Sequence, residues 1–328
     1  MKDDRIKTKQ EKLYDANFKK NLAERSILAW ILKCCVLDFM DEDVSDISKF
    51  YIEPKVDVGE VSVDGNIIYG RIQGISNEDS DEEDGVLRFD IRFKAHLPGD
   101  QTESIIVNIE AQNEQNPGYP LIARAVYYCC RMISSQKYTE FVGSDYGSIR
   151  RVYSIWILPY AKGAMVNQVN SYQIKEEHPY GDYYEDISDY DLLTIIMVYL
   201  DQESWRRYRS NLGPLTDRYE MLIDILNTSF DLSLSNKEMG DILRVNYGIT
   251  LSGNYYDRRD VMCNVSQAIL RIGEERGEKL GIERGIELTR QVYQLHLQGV
   301  ADEEIARLCK ISMSKLNEIL SPILCKVN

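Results

Sequence analysis

The strongest constraint on this chain is an acidic residue set inside each of two consecutive apolar segments. Asp90 interrupts LRFDIRF (87–93), and Glu110 interrupts SIIVNIEAQNEQ (104–115), with Gln112 two residues further on. Both runs are short, rich in Ile, Val and Phe, and bounded by polar or Gly/Pro clusters, a pattern that predicts two neighbouring strands. The AHLPGDQTE stretch between them carries a Pro-Gly-Asp turn signal, so a hairpin is the simplest connection. A carboxylate within a buried strand is costly unless it is paired or binds a cation. Two of them on adjacent strands can converge on one metal ion. The two-residue period of a strand puts Glu110 and Gln112 on one face.

Around this pair the pattern alternates helix and strand. The first residues, 1–16, are polar and are expected to be frayed. A helix is predicted over Asn17 to Phe39, with Leu28, Ile31, Leu32, Cys35 and Phe39 at helical spacing. Glu24 falls on the same stripe. It either serves the positive end of the helix dipole or joins the acid pair as a third carboxylate. Strands are expected near 55–63 and 66–75, with a turn at Val63–Gly65. PGYP (117–120) ends the sheet segment and opens a helix to about Ser135. RRVYSIWILP (150–159) reads as a further strand, and SYQIKEEH from Ser171 as an edge strand. This order requires a mixed sheet flanked by helices, an α/β architecture.

Beyond Asp189 helices are expected. DLLTIIMVYLD, LTDRYEMLIDILN and NKEMGDILRVNYG all read as amphipathic or buried helices, and a long helix starts near Asp260. Inside it a four-residue repeat places Gly273, Gly277, Gly281 and Gly285 on a slowly drifting stripe. Each glycine costs a helix about 1 kcal/mol relative to alanine. Either close approach to a second helix, hence a homo-oligomer contact, or a charged connector accounts for them, and the connector is favoured. The last segment, LHLQGVADEEIARLCKISMSKLNEILSPIL, has helix-turn-helix spacing, with Asp302 and Ser312 as helix caps. Its second helix offers Lys315 beside Glu318, poor equipment for phosphate contact, so a structural or protein-binding hairpin is as well supported. The division expected is 17–200 for the sheet domain, 201–259 for a helical subdomain and 260–328 for the long helix and hairpin.

The motifs resemble the PD-(D/E)xK nuclease superfamily, in which an Asp on one strand and an (Asp/Glu)-x-Lys on the next hold a divalent metal. The branch most similar is the PD-(D/E)xK nuclease-family transposases of bacteria, or recombination-promoting nucleases. The resemblance rests on DIRF at Asp90, NIEAQ at Asn108–Gln112, PGYPLIARAVYYCCRMISSQK at Pro117–Lys137 and VYSIWI from Val152, and covers roughly Asn21 to Leu200. It implies a restriction-endonuclease-like mixed sheet flanked by helices, here with an all-helical C-terminal extension. It also implies a metal-dependent DNA endonuclease, with Asp90, Glu110 and the backbone carbonyl of Ala111 holding Mg²⁺ or Mn²⁺. Gln112 stands where the usual motif has Lys; its amide can orient water but carries no charge. Glu24 matches an early-helix Glu that often joins such sites. Arg124, Tyr128, Arg131 and Ser135 fall on one face of the helix after the acids, opposite apolar Ala123, Val126, Tyr127, Cys130 and Ile133. That polar face contacts DNA phosphates, steadies the site, or is merely solvated. Gln136 in SSQK is a further substrate-binding candidate.

Composition narrows the alternatives. The net charge of −14 counts against indiscriminate DNA binding, although much of the acid sits in runs such as Asn77–Asp84 and Asp41–Asp46. The seven cysteines include adjacent pairs in helix-like apolar stretches and show no CxxC spacing, so they read as small buried hydrophobes. No Walker loop, kinase set or GxSxG motif appears, which argues against a nucleotide cofactor. The absence of a long apolar run predicts no membrane span and a cytoplasmic chain. The rival to an enzyme is a DNA- or protein-binding module of the same fold with a degenerate site.

Overall fold

The chain enters through two helices, α1 (Lys9–Leu22) and α2 (Arg25–Cys35). The computed structural model describes residues 9–54, 56–58, 78–81 and 85–321. The single helix expected over Asn17–Phe39 is therefore broken at Ala23–Glu24, and helix already begins at Lys9 within the stretch expected to be frayed. Burial explains the corner. α1 buries one stripe (Tyr14, Phe18, Leu22), whereas α2 is enclosed on nearly every side. Arg25, the first residue of α2, fixes the new direction by donating to the carbonyls of Ser48 (2.8 Å), Ile52 (2.6 Å) and Glu53 (2.9 Å). A short turn α3 (Val44–Asp46) follows, capped by the Asp43 carboxylate.

Next come β1 (Asp57–Val58), β2 (Glu78–Asp81), β3 (Gly85–Arg88), β4 (Ile91–Leu97) and β5 (Asp100–Ala111). Apart from β1, the strands expected near 55–63 and 66–75 and their turn lie outside the described residues. Strands β2 and β3 form a separate antiparallel pair. LRFDIRF is thus not one strand: the chain bends at Asp90, between β3 and β4. Gly99 closes the β4–β5 hairpin with φ +86°, a conformation only glycine adopts freely.

Helix α4 (Leu121–Ser134) crosses over to β6 (Val152–Leu158), which runs parallel to β5. Edge strand β7 (Gln168–Gln173), a short helical turn α5 (Ile187–Tyr190) and β8 (Leu193–Tyr199) complete the sheet, ordered β1-β4-β5-β6-β8-β7. It is a mixed sheet: β4–β5 and β7–β8 are antiparallel, and β5–β6 and β6–β8 are parallel. The expectation of a helix at DLLTIIMVYLD is corrected, because this run is the interior strand β8. A continuous apolar run has no period to separate buried strand from buried helix, and Thr194, Ile195, Ile196 and Val198 favour the strand.

Four helices follow, α6 (Gln202–Arg209), α7 (Arg218–Phe230), α8 (Asn236–Tyr247) and α9 (Gly253–Leu297). Asp217 caps α7, and Ser235 with Glu238 forms a full capping box on α8. The chain divides into two compact units, Met1–Val265 and Ser266–Asn328, so the helices of 201–259 belong with the sheet. In the second unit the end of α9 packs with α10 (Asp302–Cys309) and α11 (Met313–Leu320) around Val292, Ile305, Ala306 and Leu316. Ser312 caps α11, whereas Asp302 lies inside the first turn of α10, whose cap is Ala301. A Cβ placed on Gly277, Gly281 or Gly285 meets open space, so no contact within the unit demands those glycines. Among the described residues, no helix is long and apolar enough to cross a membrane.

Candidate functional site

The hairpin register brings the two acids together. Ile91 pairs with Ile109, so one residue further Asp90 stands beside Glu110 at the strand ends. The Asp90 N–H donates to Glu110 Oε1 at 3.1 Å, and the Ala111 N–H donates to Asp90 Oδ2 at 2.9 Å. An extended residue presents its N–H and C=O to the same neighbouring strand, which puts the Ala111 carbonyl on the Asp90 side. Two carboxylates and a carbonyl are the hard oxygen donors that Mg²⁺ or Mn²⁺ takes, and these residues fit such an ion. Among the described residues, no group of three or more His, Cys, Asp or Glu side chains is arranged to hold a metal.

Glu110 is 3 % exposed and neighbours Trp156 in the parallel register with β6. Burial, and next the Asp90 charge, pushes its carboxyl up to about 8; the Asp90 N–H, Arg124 and Lys19 oppose that rise. Among the described residues, two cations face the pair. Arg124 Nη2 lies 3.9 Å from Glu110 Oε2, and the Lys19 ammonium forms an ion pair with Asp90 Oδ1. Arg124 is itself held, donating to Tyr128 Oη (2.5 and 3.0 Å) and Tyr119 Oη (3.0 Å), with its guanidinium over the Tyr128 and Trp156 rings.

Helix α4 is turned differently from expectation. Its core face is Leu121, Ala125, Tyr128, Cys129 and Met132, whereas Val126, Tyr127 and Cys130 are exposed. Tyr128 is therefore a core residue whose hydroxyl meets Arg124, with Arg124 and Arg131 on the flanks of the buried stripe. The physical reason is ring packing: Tyr128 sits against Phe89 and Trp156, an apolar body with a polar tip. Arg131 is half-buried on this helix.

Three other candidates are committed elsewhere. Glu24 lies in the corner before α2, accepting from Ser252 Oγ (3.1 Å) and pairing with Arg258 (3.4 Å). Gln136 is 1 % exposed; its Nε2 donates to the Arg150 carbonyl (2.9 Å) and its Oε1 accepts from the Arg150 N–H (2.8 Å). It ties the end of α4 to the entry of β6, satisfying two backbone groups that the sheet leaves over. Gln112 lies just past the end of β5, and its amide nitrogen donates to the Glu114 carbonyl at 2.7 Å.

Sequence reasoning missed Lys19, Asn108 and Ser154. Asn108, two residues before Glu110, donates to Ser154 Oγ at 3.4 Å, and Trp156 Nε1 donates to the same oxygen at 2.9 Å. Together with Glu110 they make a buried polar row on the face that α4 covers. The signal for Lys19 is its place next to Phe18 on the α1 stripe. Comparison of the chain with protein-family models, curated proteins and solved structures finds no match.

Proposed function

We propose that this chain is a divalent-metal-dependent nuclease that hydrolyses DNA phosphodiesters on a restriction-endonuclease-like core, of the recombination-promoting type. The observation that carries the reading is that the Asp90 N–H bonds the Glu110 carboxylate and the Ala111 N–H bonds the Asp90 carboxylate at adjacent strand ends, with Arg124 over Glu110. The comparisons with known proteins lend it no support; it rests on the site and on the motifs. Asp90, Glu110 and the Ala111 carbonyl would hold such an ion. Bound Mg²⁺ or Mn²⁺ supplies a Lewis acid that activates water and offsets phosphoryl charge. Glu110 gives up its proton when the site is loaded. Arg124, braced by two tyrosine hydroxyls, presents its guanidinium to a phosphate oxygen. Gln112, freed from Glu114, orients the attacking water. The water oxygen bonds to phosphorus, the bond to the leaving sugar oxygen breaks, and the water's protons pass to solvent and to that oxygen.

The two ion pairs favour a second reading. Lys19 already neutralises Asp90 and Arg124 stands against Glu110, so the pair equally suits a binding module whose catalytic site has become structural. A panel of labelled duplex DNA, single-stranded DNA and RNA, incubated with Mg²⁺ or Mn²⁺, separates the two. Products ending in phosphate and hydroxyl support the nuclease; intact substrates across the panel, with no metal bound in calorimetry, leave the binding module.

A further inference from the structure

We propose that Lys19 supplies the positive charge that the Glu110-Ala111-Gln112 motif lacks, entering from α1 instead of from β5. The proposal rests on the nuclease reading above. Gln112 is uncharged and its amide is turned to the Glu114 carbonyl at 2.7 Å. The Lys19 ammonium instead reaches Asp90 Oδ1, while the other Asp90 oxygen accepts the Ala111 N–H. Lysine and motif therefore meet at one carboxylate, although Lys19 lies far upstream of Gln112 in the chain.

Helix α1 is fixed on both sides of Lys19. One turn earlier, Asp15 accepts from Asn113 Nδ2, and Asn113 directly follows Gln112. Beside it the Tyr14 and Tyr160 hydroxyls are hydrogen-bonded, and Phe18 is fully buried. Two residues later, the Asn21 side-chain Oδ1 accepts from Arg258 Nε at 2.6 Å. An exposed ion pair is worth little and needs no such anchoring; the Lys19 and Asp90 side chains are only 14 % and 16 % exposed. A lysine ammonium is a compact, strongly hydrated charge on a flexible stem. With a divalent ion held by Asp90, the Lys19 ammonium would remain at the edge of the site, where it could orient water and offset charge on a phosphate.

The test compares wild type, Lys19→Gln, Lys19→Arg and the Lys19→Gln/Gln112→Lys double variant in two readouts: Mn²⁺ affinity by calorimetry and single-turnover plasmid nicking. Removing a competing cation from Asp90 is expected to tighten Mn²⁺ binding by about tenfold in Lys19→Gln. The same variant is expected to nick roughly a hundredfold more slowly, as for loss of one charge-stabilising group. Lys19→Arg keeps most of the rate, and Gln112→Lys restores it in the Lys19→Gln background. Weaker metal binding together with slower nicking in Lys19→Gln, unrepaired by Gln112→Lys, would mark a structural ion pair and overturn the proposal. Nicking by Lys19→Gln at the wild-type rate would overturn it too, leaving the nuclease reading intact. A wild type that neither binds Mn²⁺ nor nicks removes both.

Discussion

The backbone N–H of Asp90 donates to Glu110 Oε1 at 3.1 Å, so one acid helps to solvate the other in a place where water does not. The bond does not outweigh burial, and the Glu110 carboxyl remains pushed up to about 8. Asp90, Lys19 and Arg124 close around it. The Lys19 ammonium pairs with Asp90, and the Arg124 guanidinium lies 3.9 Å from Glu110.

One consequence concerns stability without metal. Burial and the Asp90 charge push the Glu110 carboxyl from its ordinary 4.5 up to about 8 in the folded state. The folded state therefore holds more protons between these values, and stability falls as pH rises through that window. Its contribution is complete below about 4.5 and lost above about 8. Urea midpoints measured in EDTA from pH 5 to pH 9 are expected to fall in wild type and to flatten in Glu110→Gln. A wild-type curve no steeper than that of the variant would contradict this.

The same proton opposes metal. Apparent Mn²⁺ affinity is expected to climb with pH until Glu110 is ionised near 8, and binding below that pH releases a proton. Calorimetry in two buffers of different ionisation enthalpy reads the proton directly; identical heats in both would refute the linkage.

Away from the site, Asp224 is a buried junction of three helices. It accepts from Trp205 Nε1 (2.7 Å), Arg209 Nε (3.1 Å) and Tyr247 Oη (2.5 Å). Asp224→Ala leaves Arg209 without its buried partner and is expected to destabilise by about 3–5 kcal/mol. Chemical denaturation measures it, and a loss under about 1 kcal/mol would show that the junction is solvated.

Gln136 gives the sharpest contrast between a structural and a substrate role. Gln136→Ala strands the Arg150 N–H and carbonyl and is expected to cost about 1–3 kcal/mol of stability. DNA affinity, measured by anisotropy where the variant is fully folded, should stay within about twofold of wild type. A selective loss of DNA binding would return Gln136 to the substrate surface.

Much of this was legible in the sequence, for identifiable reasons. Alternation and a Pro-Gly turn revealed the β4–β5 hairpin, and its register placed Asp90 beside Glu110. Ser312 marked a helix start because a short polar side chain caps orphan N–H groups, whereas the cap of α10 proved to be Ala301 and not Asp302. Strand β8 was hidden because a run buried on both faces has no period. The orientation of α4 was hidden because Tyr128 and Tyr127 are adjacent tyrosines with opposite fates: one packs on Trp156, and the other is 46 % exposed. The partners of Glu24 and Gln136, Arg258 and the Arg150 backbone, were hidden because they are distant in the chain or invisible in side-chain patterns. Lys19 was missed for the same reason.

The measurement that tests the central claim most directly is nicking of supercoiled plasmid by wild type and by Glu110→Ala, each in Mg²⁺, Mn²⁺ and EDTA. Wild-type nicking in Mg²⁺ or Mn²⁺, abolished by EDTA and by the substitution, is the result predicted. Equal nicking by both proteins, or none by wild type under any condition, would contradict a nuclease centred on Asp90 and Glu110.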